Sequence, residues 1–150
     1  MKNFNLLILI FFMNGCASGD IALNKKGEAA NVSDAGLPPI DPIYEIEKSI
    51  KLHEGDRNEF AIKNVRGPVF SSLRSFKYWG EADYGWSICF DVNFRMESGV
   101  YSGYKRGAIL WRDGIVKKYF IEKDFLSEKY IFGYCSVVED KIKQSDEYKK

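Results

Sequence analysis

Three cysteines, one histidine and a pair of aspartates near a predicted strand are the residues of this chain best suited to chemistry. A thiol acts as nucleophile, metal ligand or half of a disulfide, and each role needs a neighbour. Cys89 and Cys135 stand 46 positions apart, each within or beside a predicted strand, and no CxxC spacing points to thiol exchange. A disulfide between them is the expectation, closing a loop whose entropy is worth about 4 kcal/mol in the chain-entropy model. Two buried thiols or a redox pair are the alternatives. Cys16 is then the odd thiol. His53 has no second nitrogen or thiolate in its vicinity, so helix capping or solvent exposure is expected and no metal is assigned. Asp83 and Asp91 would suit acid–base work only as a close pair; a turn and a polar sheet face account for them more simply. With no GxSxG elbow, GxGxxG turn or P-loop, the chain reads as noncatalytic and free of cofactors.

Cys16 is explained by what precedes it. Lys2 starts a short positive region, and residues 4–13 are apolar except for Asn5, about ten residues where a spanning helix needs about twenty. Gly15-Cys16 directly follows. The arrangement resembles the bacterial lipobox, in which a small residue precedes a cysteine that is lipidated and becomes the first residue of the mature chain; Met13 stands where Leu is usual and Asn14 where Ala or Ser is usual. The resemblance implies a lipoprotein signal peptide over residues 1–15, acyl chains (a palmitate-type N-acyl group and a thioether diacylglycerol) on Cys16, and membrane attachment through them. Ala17 in place of Asp favours, by the same resemblance, the outer membrane facing the periplasm.

The elements that must position any site follow from composition and period. Hydrophobic residues at 45% and aromatics at 15% suffice for one packed core in 150 residues, while a net charge of +1 from dispersed Lys, Arg, Asp and Glu leaves no basic face for nucleic acid. Residues 16–39, small and polar without apolar period, read as the lipidated cysteine and a flexible tether holding the domain roughly 25 Å from the membrane, or in part as an irregular first strand. The α+β domain is placed at residues 40–138. Asp41 and Pro42 open a helix with Ile43, Ile46 and Ile50 on one stripe. Phe60, Ile62 and Val65 begin a β-rich region, and residues 73–79 read as a further strand. Residues 86–96 alternate strictly: Trp86, Ile88, Phe90, Val92, Phe94 and Met96 on one face, Ser87, Cys89, Asp91, Asn93 and Arg95 on the other. The isoleucine stripe is the expected lid of the apolar face. Residues 104–111 and 115–121 form a hairpin about a type I′ turn at Asp113-Gly114. Tyr130, Phe132 and Tyr134 alternate like a strand, whereas VVEDKIKQS suits a helix; residues 139–150 read as a solvated charged tail.

The stretch CFDVNFRMESGVYSGY resembles a motif of small uncharacterised bacterial envelope lipoproteins, C then VNxKN then GGYxGF. Cys89, Val92, Asn93, Gly99, Tyr101 and Gly103 match, Arg95 stands for Lys and Tyr104 for Phe, and Met96 and Val100 depart from it. It implies an N-terminal helix against a small antiparallel sheet, a meander, with the glycine-rich piece joining two strands. Gly99 and Gly103 suit positive φ, and Asn93 suits a hydrogen bond to the loop backbone. As a contact surface the loop would use Tyr101, Ser102, Tyr104 and Lys105 toward an envelope protein of unknown identity. A second resemblance, to lipoproteins that inhibit c-type lysozymes, rests on Ser102 and Gly103 with Trp111 and Gly114, and on Lys105 or Arg106 as the cation for an acidic cleft. The leading expectation is a lipid-anchored envelope protein with an interaction or envelope-maintenance role. A lysozyme inhibitor comes second and a hydrolase using His53 or Asp91 last.

Overall fold

Four β-rich stretches form the strands of one sheet, whose neighbours run antiparallel. In the computed structural model, which describes residues 22–55, 59–73 and 83–147, they are β1 (Phe60–Leu73), β2 (Asp83–Arg95), β3 (Tyr101–Arg112) and β4 (Ile115–Ile121). They pair in the order β1-β2-β3-β4 as one antiparallel meander. Two helices complete an α+β layout: α1 (Pro42–Glu54) before the sheet and α2 (Phe125–Glu147) after it. The signal segment, Cys16 and all but the first residue of the strand expected at 73–79 lie outside the described residues. None of the described helices is long and apolar enough to cross a membrane.

The start and end of α1 follow its sequence. The Asp41 carboxylate accepts from the Tyr44 N–H at 3.0 Å, Pro42 takes the first turn, and Gly55 at φ +89 ends the helix by donating to the Lys51 carbonyl. Its Ile46 and Ile50 are fully buried against Ile88, Phe90, Val92, Ile109 and Ile121, so the expected lid is in place. Ile43 remains half exposed. The ring of Phe90 crosses the sheet over Gly107, where a Cβ would stand 2.5 Å from Phe90 Cζ.

The opposite face departs from expectation. Ser87 and Cys89 belong to it but are fully buried, because α2 lies across them with Ile131, Tyr134, Cys135 and Val138 inward. Cys89 and Cys135 form the expected disulfide, with Cα atoms 5.8 Å apart, joining β2 to α2 inside the core. Ser71, Ser87 and Tyr134 share a buried chain of hydroxyl hydrogen bonds beside it. The aromatic residues 130–134 are therefore helical, and the helix passes the expected domain boundary at Val138. The segment from Glu139, read from its charge as a solvated tail, extends α2 to Glu147. It is anchored by Glu139 to Arg66 at 2.7 Å and by Lys141 Nζ to the Phe70 carbonyl at 2.9 Å.

The described part of the tether is also packed. Ala22 and Ala35 are fully buried with Tyr84, and Ala30, Phe70 and Trp86 close around them. A bridge pairs Leu23 with Ala29, a 3-10 turn spans Val32–Ala35, and the indoles of Trp86 and Trp111 donate to the carbonyls of Gly36 and Leu37 at 2.9 and 3.3 Å. Residues 22–37 thus cover the end of the apolar row that α1 does not reach.

Candidate interaction surface

The contact residues picked out in the sequence, Tyr101, Ser102, Tyr104 and Lys105, all fall at the start of β3, at the end of the sheet remote from the buried N-terminal segment. The β2–β3 connection is built by the glycine-rich piece as expected. Met96 N–H donates to the Val100 carbonyl and Gly99 N–H to the Met96 carbonyl, each at 2.8 Å, with Gly99 at φ +80. Arg95 braces it, donating from Nε to the Gly99 carbonyl at 3.3 Å and from Nη1 to Glu59 at 2.6 Å; the Glu59 hydrogen bond and charge raise the guanidinium pKa further.

Strict alternation would put Tyr101 and Tyr104 on opposite faces. The register prevents it: Tyr104 lies opposite Asn93 and Tyr101 opposite Arg95, so three steps along β3 match two along β2. Gly103 at φ +89 sits in this bulge. Both tyrosines therefore lie on the α2 side of the sheet, each about half exposed. Lys105, opposite Val92, lies on the α1 side and is separated from them. The Ser102 hydroxyl donates to the neighbouring Gly103 carbonyl at 3.2 Å.

Residues not picked out as contacts complete the surface. Lys63 Nζ stands 3.4 Å above the centre of the Tyr104 ring, and the Arg106 guanidinium lies 4.9 Å above that of Phe132, which is 57% exposed. Among the described residues Asn93 makes no hydrogen bond to the loop, and its Oδ1, like Arg106 Nε, is buried without a partner. The surface thus offers two aromatic–cation pairs and an exposed tyrosine, Tyr101. Lys63 reaches the patch only through the pairing of β1 with β2, and Phe132 only because residues 125–147 are helical, so no local signal marks either.

The other candidate residues are dispersed. Asp83 is ion-paired with Arg112, while Asp91 holds Arg66 at 3.2 Å and accepts from Asn64 at 2.7 Å. The two carboxylates are eight positions apart on one strand, roughly 26 Å, too far to act together. His53 stacks on Tyr119 with ring centroids 4.4 Å apart, and its Nδ1 lies 2.8 Å from the Ser49 carbonyl, a cap on the end of α1. Burial and the Glu54 charge push the Tyr119 phenol well above its usual pKa. Among the described residues no group of three or more His, Cys, Asp or Glu could hold a metal ion. Ser102 and Trp111, joined in the lysozyme-inhibitor resemblance, occupy opposite ends of β3, and Trp111 is buried. A groove of about 390 Å³ between α1 and β1 is lined by Ile43, Phe60, Ile62 and Val65 with Glu47, Lys63 and Asn64.

No family model matches the chain, and neither the search of curated proteins nor that of solved structures found a match.

Proposed function

We propose that this protein is a lipid-anchored component of a bacterial envelope, attached through Cys16 and facing the periplasm. In this reading it binds an envelope protein through the end of the sheet that carries Tyr101 and Tyr104. The observation that carries the reading is the Cys89–Cys135 disulfide sealed inside the core, with sulfur-bearing residues 0% and 1% exposed. Such a bond belongs to an oxidising compartment, and the short apolar run ending in Gly15-Cys16 supplies both export and attachment. With that cysteine acylated, the two remaining thiols pair and none is left over. The role is noncatalytic: aromatic and cationic side chains on a rigid sheet make a contact surface.

The test is crosslinking in cells that express the full-length chain, followed by tagged capture and intact mass under nonreducing conditions. The expected result is a diacylglyceryl, N-acylated Cys16, two missing hydrogens, and one enriched envelope protein that is lost in Tyr104→Ala. A free Cys16 thiol in the purified chain refutes the anchoring. Capture of the same protein by Tyr104→Ala removes the contact surface from this end of the sheet.

A further inference from the structure

The reach of the chain between Cys16 and the folded domain decides how the domain sits. Ala22 is buried beneath Tyr84 and Trp86 and is fixed to the domain. Only six peptide steps separate it from Cys16, which fully extended span at most about 20 Å. The tether is far shorter than the sequence suggests, because residues 22–37 are part of the domain.

That same end exposes several apolar side chains beside Lys25 and Lys26. Leu37 and Ile40, on either side of Pro38-Pro39, are 86% and 103% exposed. Leu23 and Val32 of the same segment and Ile115, next to the β3–β4 turn that donates from Asp113 N–H to the Ala35 carbonyl, are each more than half exposed. Single exposed apolar side chains are ordinary, but these gather where the chain leaves toward its anchor. We infer that this end of the domain, led by Leu37 and Ile40, lies in the interfacial layer of the bilayer that holds Cys16. The inference rests on the anchoring proposed above. The occupant is a lipid surface, because a link of at most about 20 Å keeps this end beside the bilayer that holds Cys16. Geometry then assigns the other end: Tyr101 begins and Arg112 ends a strand of roughly 35 Å, so the tyrosine surface points away from the membrane into the periplasm.

The test uses the full-length protein with Leu37→Cys, purified from bacterial membranes and reconstituted in vesicles of phosphatidylethanolamine and phosphatidylglycerol. A polarity-sensitive dye is attached to the new thiol, and Tyr101→Cys is labelled in parallel. With Cys16 acylated and Cys89–Cys135 closed, the new cysteine is the sole free thiol, and intact mass checks this on the same sample. The expected result is a blue-shifted emission at position 37, quenched by lipids carrying a nitroxide near the headgroup, and a water-like, unquenched emission at position 101. A water-like emission at 37 with an acylated Cys16 overturns the inference and leaves the anchoring intact. An unacylated Cys16 with no shift overturns both. A blue shift that appears without vesicles and grows with protein concentration means that a second copy covers this end, and it also overturns the inference.

Discussion

Replacing both Cys89 and Cys135 with alanine removes a cross-link between residues 46 positions apart in the middle of the core. In the chain-entropy model a loop of that length restricts the unfolded chain by about 13 cal/mol/K, or about 4 kcal/mol at 25 °C. Alanine rather than serine keeps an unpaired hydroxyl out of a buried site. Small domains are stable by about 5–15 kcal/mol, so the loss should be a large fraction of the total and lower Tm by an amount on the order of 10–25 °C. Urea unfolding followed by tryptophan fluorescence measures it, with a steeper slope expected for the variant because its unfolded chain is less compact without the cross-link. Because both cysteines are buried, dithiothreitol should open the bond in the native protein no faster than the core itself opens. Two results would refute the reasoning: a double variant within about 1 kcal/mol of the parent, against the 4 kcal/mol expected, or fast reduction without denaturant.

Gly107→Ala places a methyl group against the Phe90 ring and should cost about 1–3 kcal/mol of stability. Combining it with Phe90→Leu should recover part of that loss relative to the sum of the single changes, as a double-mutant cycle in urea will report. Asp124 accepts from the Ser127 N–H at 2.8 Å at the start of α2, and this bond, with the Ser127 hydroxyl, holds its carboxyl below the usual aspartate pKa. The ionised form is the one the fold favours, so its contribution is complete above about pH 4 and fades as pH falls through the depressed native value. Asp124→Asn should therefore be less stable than the parent at neutral pH, with the gap closing in acid; a gap constant with pH removes the ionised cap as its cause.

What could be read in the sequence was whatever repeats with the period of its element. β2 alternated cleanly, Asp113 and Gly114 took the positive φ values of a tight turn, and Ile46 and Ile50 covered the sheet. α2 was obscured although its stripe was present: Ile131, Tyr134, Cys135 and Val138 have helical spacing, but Tyr130 and exposed Phe132 alternate with Tyr134 and so mimic a strand. Residues 22–37 were missed for another reason. Their buried side chains are alanines, too small to register as an apolar pattern, and they are held by backbone carbonyls that accept from two tryptophans far along the chain. The bulge uniting Tyr101 and Tyr104 depends on register between strands, which single-strand alternation does not contain.

The edges of the sheet narrow how a partner can bind. Among the described strands β1 and β4 are the sheet edges, and an extended segment of a partner would add to one of them. β1 is broken by register shifts on both sides of Arg66, carries Asn64 at φ +51, and contains Pro68, which has no N–H to offer. β4 is short and bears Lys117 and Lys118, charges of the kind that protect exposed edges. Main-chain docking is thus disfavoured at both edges, and under the proposed function recognition would fall to side chains on the sheet face around Tyr104. Lys117→Glu and Tyr104→Ala separate the two modes in the crosslinking assay. A partner reading the sheet face should be lost with Tyr104→Ala and kept with Lys117→Glu. The reverse pattern would place it on the β4 edge and show that a single cation does not guard that strand.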